Sequence, residues 1–332
     1  MTNIKERLSQ YLERRHMSDE YTSLTADAST REYFRIKWDE GTAVACVYPD
    51  PSDPAKTSYL DVSRLFISVG LPVAEIYDVE DELGIVVQED LGDRVLRDEM
   101  MGDNVEKRSR LRNEAISLIA RIQTATDHAF QIDSIASRLK FDAEKLGWEL
   151  DFFKEHYFNT FKKSPLTSTD DDRITREFID LAAELESFAT VLCHRDFHAA
   201  NLMLDDRDRM RIIDQQDARI GSPAYDLVSL LLDRITDLPS SEWLADKRRF
   251  FLDMRVKLGL PRLIEDEFAY EFRLQTIQRC LKAAGTFSFQ SVKRGKTNFV
   301  PFIKPMLRIS IRAAESLGRF PFIREILGRE ID

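Results

Sequence analysis

The residues with chemistry to offer gather between positions 194 and 217. His194-Arg195-Asp196-Phe197-His198-Ala199-Ala200-Asn201 is followed by Ile212-Ile213-Asp214, and the stretches FATVLCH (188–194), NLML (201–204) and MRIIDQQ (210–216) have strand texture. This spacing predicts Asp196 at the end of one short strand, Asn201 at the start of the next and Asp214 at the end of a third. Three oxygen-bearing groups would then converge at the tips of adjacent strands. Such a set suits a hard Mg²⁺ ion, which takes few protein oxygens and fills its shell with phosphate and water. Asn201 and Asp214 are the expected metal ligands, and Asp196 is left to meet a hydroxyl and take its proton. Any one of these residues could simply cap a turn. Together, H-R-D-x-x-x-x-N and a later Asp form the pattern used for phosphoryl transfer. His194 is expected to hold the turn through backbone hydrogen bonds, and Asp226 to tie the following helix to the loop.

Elements must bring these groups to one place. Residues 4–16 put Ile4, Leu8, Tyr11 and Leu12 on one helical face. YFRIKW, a turn at Gly41 and TAVACVY read as a hairpin, and residues 57–69 return to a helical period. Short strands are expected around Val73–Val79 and Leu83–Gln88, ending at Glu89-Asp90-Leu91-Gly92-Asp93. Beyond Gly92 helices are expected over 104–128, 139–163, 172–188, 240–258, 265–287 and 301–317, with 226–235 after the strand-rich island. The reading is α+β, with a sheet-rich N-terminal lobe over 1–91 and a larger helical C-terminal lobe over 92–332.

With 48 Lys and Arg against 58 Asp and Glu, the net charge is −10, which disfavours nucleic acid and anionic membrane as main partners. No apolar run approaches membrane-spanning length, and the N-terminus lacks the apolar stretch of a signal peptide. Cys46, Cys193 and Cys280 lie far apart, which suggests neither a disulfide framework nor a zinc site. A cytoplasmic location and a small-molecule substrate are the expectations.

Further segments carry a resemblance. DASTREYFRI (27–36), QEDLGDR (88–94), VLCHRDFHAANLML (191–204), IIDQQDARIGSPAYDLVSLLLD (212–233) and IQRCLKAAGTF (277–287) are similar to the aminoglycoside phosphotransferase and choline kinase-like superfamily. Within it, the first and last segments most resemble the bacterial N-acetylmuramate/N-acetylglucosamine anomeric kinases. The resemblance implies a two-lobed protein-kinase-like fold and an ATP- and Mg²⁺-dependent kinase acting on a sugar hydroxyl.

The chain departs from the protein-kinase pattern at two places. Asp27, Ser29, Thr30 and Arg31 stand where a glycine-rich loop would cover the phosphates, and hydroxyls with backbone N–H groups could form a nest there. Val47 occupies the slot of the third-strand lysine, so Arg31, Lys37 or Lys56 would supply the charge. Gln88, Glu89, Asp90 and Leu91 are expected to connect the lobes and meet the adenine edge through their backbone. His198, Asp217, Arg279 and Lys282 are the expected acceptor contacts, the last two sharing a helical face. Other acceptors (an aminoglycoside, choline or homoserine) and a regulatory pseudokinase remain as alternatives.

Overall fold

A computed structural model describes residues 3–24 and 31–331. In chain order the elements are α1 (Ile4–Arg14), β1 (Tyr21–Leu24), β2 (Glu32–Trp38), β3 (Gly41–Val47), α2 (Pro54–Ser68), β4 (Ile76–Glu80), β5 (Ile85–Glu89), α3 (Leu96–Glu99), α4 (Val105–Thr124), α5 (Thr126–Gln131), α6 (Ile135–Arg138), α7 (Ala143–Lys154), α8 (Ser168–Ser187), β6 (Val191–Cys193), β7 (Leu202–Leu204), β8 (Met210–Ile212), β9 (Arg219–Gly221), α9 (Tyr225–Leu232), α10 (Ser241–Lys257), α11 (Glu265–Lys293), α12 (Val300–Leu317) and α13 (Pro321–Ile331). Two compact units result: Met1–Asp103 with Ala200–Asp217, and Asn104–Ala199 with Ala218–Asp332. The fold is α+β and kinase-like, with a β-sheet N-terminal region and a helical C-terminal region.

The first unit is built on an antiparallel sheet of order β1-β2-β3-β5-β4. Its central strand β3 is buried on both faces, and its residues alternate between them. Ala43, Ala45 and Val47 pack with Leu8, Tyr11 and Leu12 of α1. Cys46 packs with Tyr48 and with Tyr59 of α2 on the other face. Asn3 opens α1 with a reciprocal cap, its side chain on the helix backbone and Glu6 on the Asn3 N–H. The β7–β8 ribbon belongs to this unit. Single bridges tie it on (Val73 to Ile212, Val95 to Met203), and Gln215 Nε2 donates to Ser63 Oγ of α2 at 2.8 Å.

The second unit is organised around α11, 29 residues long, which packs against α12 and α7. A Cβ on Gly285 of α11 would lie 2.7 Å from Phe153 Cα and 3.1 Å from Phe153 N. Only glycine lets α7 come this close. The 139–163 expectation is thereby refined: α7 starts at Ala143 and passes into π-helical turns over Glu155–Lys162. The 104–128 helix is likewise interrupted at Ala125, between α4 and α5.

The strand island needs a correction. β6 pairs with β9 (Val191 to Gly221, Cys193 to Arg219), while β7 and β8 form a separate ribbon. The strands bearing Asp196 and Asn201 are thus not ladder neighbours, because β6 finds its partner beyond Asp214. The three cysteines are buried thiols, and among the described residues no helix is long and apolar enough to cross a membrane.

Candidate active site

β6 delivers the chain into the 194–198 loop, whose shape is set by Asp226. This fully buried carboxylate, in the first turn of α9, accepts from His194 N at 2.6 Å and Arg195 N at 3.0 Å. Burial pushes its pKa up to about 6, while His194 and the two backbone donors pull the other way. The pair of bonds holds Arg195 at φ 85°, a left-handed conformation that a non-glycine side chain adopts only when its surroundings impose it. His194 is fully buried, its ring edge-on to Phe197 with centroids 5.6 Å apart.

Asp196, which follows, is gripped by two cations from α11. Its Oδ1 accepts from Lys282 Nζ at 3.1 Å and Arg279 Nη2 at 3.4 Å, and Arg195 Nε lies 3.7 Å from Oδ2. Burial opposes ionisation here, but Lys282, Arg195, Arg279 and His198 outweigh it and hold the carboxyl well below its ordinary range. The Asp196 side chain keeps 28% of its surface open, enough for a substrate hydroxyl to reach it. Arg279 also donates to Ser229 Oγ at 3.0 Å. One residue earlier, Gln278 Nε2 donates to buried Glu149 Oε2 at 2.9 Å. His198 donates its backbone N–H to Asp196 O at 3.0 Å, and its Nδ1 is buried without a hydrogen-bond partner among the described residues.

Asp196, His198, Arg279 and Lys282 are therefore brought together in the second unit. Ser229, Glu149 and Arg195 complete the cluster and were not singled out from the sequence. Only Arg195 had a signal there, as the middle residue of H-R-D.

In the first unit, Asn201 and Asp214 flank the β7–β8 ribbon. Asp214 sits at φ 66°, and its Oδ1 accepts from Gln216 Nε2 at 2.8 Å and Arg31 Nη2 at 3.2 Å. Asn201 Nδ2 is 3.5 Å from Asp214 Oδ2, and Ile213 N donates to Asn201 O at 3.1 Å. Asp217 closes the 3₁₀ turn Gln215–Asp217 just beyond. Among the described residues no three His, Cys, Asp or Glu side chains form a complete metal cage. Asn201 and Asp214 offer one amide and one carboxylate oxygen, a donor set that fits a Mg²⁺ ion with phosphate and water as its remaining ligands once Arg31 and Gln216 leave the carboxylate.

Of the expected phosphate-covering residues, Asp27, Ser29 and Thr30 lie outside the described residues. Arg31 lies within them, over the rings of Tyr33 (5.8 Å) and Tyr48 (5.7 Å). The other two cations offered for the missing lysine are engaged elsewhere, Lys37 with Glu20 at 2.7 Å and Lys56 with Asp81 at 2.9 Å. Val47 is fully buried. The side chains of the expected connector are likewise committed. Gln88 accepts from Tyr59, Glu89 pairs with Arg211, and Asp90 accepts from Arg35 Nε at 2.6 Å and Thr42 Oγ1 at 2.7 Å. Glu89 N is bound to Glu75 O at 2.8 Å, and Leu91 is buried. Any adenine contact thus falls to the backbone of Asp90 and Leu91.

An H-R-D loop and an Asn/Asp pair at a ribbon end are the parts expected of a phosphoryl-transfer enzyme, and the match to known proteins agrees. The phosphotransferase enzyme family matches residues 20–262. The chain belongs to this family. It is a kinase, transferring a phosphoryl group to an alcohol acceptor. The chain is 30% identical to an N-acetylmuramate/N-acetylglucosamine kinase of Neisseria meningitidis serogroup B, over 93% of this chain and 91% of that protein. A protein of the same name from Caulobacter vibrioides is 27% identical, over 85% and 84%. Among solved structures, the streptomycin–ATP–APH(2")-IIa ternary complex superposes with a TM-score of 0.58 at 15% identity, covering 96% of this chain and all of that one. The family match runs from β1 to just past α10, so it takes in Asp196 and the Asn201–Asp214 pair but ends before Arg279 and Lys282 of α11.

Proposed function

We propose that this kinase phosphorylates the anomeric hydroxyl of a free amino sugar, N-acetylglucosamine or N-acetylmuramate, with ATP as donor. The observation that carries the reading is the pair of cations on Asp196. A carboxylate stabilised by Lys282 and Arg279 is a weak base. It is best matched to a hydroxyl more acidic than an ordinary alcohol, and a hemiacetal hydroxyl is such a group because the ring oxygen stabilises its conjugate base. The same cations disfavour choline or an aminoglycoside beside Asp196, since those acceptors are positive themselves. The two relatives named as sugar kinases support the same choice.

In this reading Asp196 orients the hydroxyl and takes its proton late, as charge develops on the phosphoryl group. His198 offers a buried ring nitrogen to the acceptor, and Asp217 a carboxylate to its other hydroxyls. Asn201 and Asp214 would hold Mg²⁺, which neutralises phosphate charge when bound. Arg31, freed from Asp214, moves its charge onto the phosphates in place of the third-strand lysine. Asp27, Ser29 and Thr30 are assigned to the phosphates, and the backbone of Asp90 and Leu91 to adenine. A kinase of free sugars works where ATP is made and held, which places it in the cytoplasm.

The test compares each sugar with its methyl glycoside, whose anomeric oxygen is blocked. Mg²⁺-dependent ADP release is expected with the free sugar and not with the glycoside. Equal turnover of both would move the reaction to another hydroxyl. Turnover of choline or an aminoglycoside alone would reject the sugar altogether.

A further inference from the structure

Helices α10, α11 and α12 line a half-open cleft of about 330 Å³ whose lining includes none of Asp196, Arg279 and Lys282. Three arginines line it, one from each helix: Arg248, Arg273 and Arg312. Among the described residues none of the three guanidinium groups has a carboxylate oxygen within 4.0 Å. That is unusual in a chain of net charge −10, where acidic partners outnumber basic ones. Arg248 lies 5.2 Å over the Phe272 ring, and Arg312 Nη2 is buried with no hydrogen-bond partner among the described residues. Burial pushes the pKa values of Arg248 and Arg312 down, and at Arg248 the charges of Arg273 and Arg249 add to this while Glu265 opposes it.

A buried guanidinium nitrogen without an acceptor is costly, and three like charges facing one space repel. An anion in that space removes both costs at once. The start of α10 adds to the attraction. Ser241 and Glu242 of its first turn line the cleft, and the N-terminus of this 17-residue helix carries partial positive charge. Among the lining residues one acid, Glu242, stands against three arginines, and Glu265, outside the lining, also acts on Arg248. The volume is that of a small-molecule site, not of a peptide or nucleic-acid groove.

We propose that this cleft binds a phosphate dianion, carried by a small phosphate monoester or by orthophosphate. Arginine forks bind the phosphate oxygens. The site is additional to the phosphoryl-transfer machinery and does not depend on which acceptor that machinery uses.

Calorimetry on the full chain in Mg²⁺-free buffer, with glucose 6-phosphate and separately with orthophosphate, tests it. Saturable binding of either supports the site, and the tighter of the two identifies the source. The Arg273→Gln/Arg312→Gln variant is expected to bind about tenfold more weakly, with KM for ATP and for the acceptor changed by less than about twofold. If the double variant fails to fold, Arg273→Gln alone serves, since among the described residues its guanidinium has no carboxylate partner to lose, and a loss of about threefold is expected. Unaltered anion binding in the variant that folds would overturn the proposal, as would no binding to the wild-type chain. A large rise in acceptor KM would also overturn it, by assigning the arginines to the acceptor pocket.

Discussion

At Asp196 the group that would accept a proton is also the group that α11 holds ionised, through contacts of 3.1 Å from Lys282 and 3.4 Å from Arg279. In the proposed reaction such a carboxylate would position the hydroxyl throughout and accept its proton only as the transfer completes. Asp196→Asn keeps the shape but loses the base. Turnover is expected to fall about 10²–10⁴-fold, with Mg·ATP affinity unchanged, measured by ADP release and calorimetry. A variant that retains most of its rate would remove Asp196 from that role. On the nucleotide side, Asp214→Ala should abolish Mg²⁺-dependent ATP binding by calorimetry, because the ion loses its carboxylate. Arg31→Ala is expected to raise KM for ATP about tenfold, with Arg31→Lys recovering part of it. Lys37→Ala and Lys56→Ala should leave that KM alone, since both ammonium groups are paired with carboxylates elsewhere. An effect of either lysine equal to that of Arg31 would displace Arg31 as the substitute.

At the scale of elements, the close approach of α7 and α11 makes Gly285 a spacer one turn from Lys282. In an open helix Gly→Ala stabilises by about 0.5–1 kcal/mol. Here the added methyl meets the Phe153 backbone, which cannot rotate away, so Gly285→Ala should destabilise by about 1–3 kcal/mol in urea unfolding. A stabilised variant would mean the helices separate freely. Much of this architecture was legible because its signals are local. The apolar face of α1, the β2–β3 hairpin around Gly41 and the H-R-D loop are each set by residues close in sequence. What was not legible depends on distant partners. The N-terminus of α13 is capped by Glu177, which accepts from Phe322 N at 3.0 Å and Ile323 N at 2.7 Å, so no capping residue marks it locally. β6 pairs with β9 across the whole of the β7–β8 ribbon. The Arg279 and Lys282 face was readable, but its target, more than eighty residues away, was not.

For the molecule as a whole, buried acids set how stability varies with pH. Burial pushes Glu271 up to about 7, against the pull of Ser222, the Ala224 N–H and Arg255, and Asp226 up to about 6. Both folded values exceed the unfolded ones, so between about pH 4 and 7 the folded chain holds protons that the unfolded chain has released. The stabilisation is full below that window and is lost as pH rises through it. Glu271→Gln retains an oxygen for Ser222 and Ala224 N but cannot ionise. It should reduce the loss of stability between pH 5 and 8 by about 1–3 kcal/mol, read from urea midpoints at the two pH values. An equally steep loss in the variant would exonerate Glu271.

The β7–β8 ribbon lies some hundred residues downstream of the sheet it is tied to. A gene fragment ending at Asp103 would therefore encode an incomplete body. Glu89 would lack Arg211, Ser63 would lack Gln215, and the Val73 and Val95 bridges would have nothing to join. Such a fragment should stay unfolded alone and become ordered only when a peptide spanning 200–217 is added in trans. The N-terminal region is in that sense not a module that recombination could cut out and paste elsewhere, because the residues that complete it arrive with the reactive loop itself.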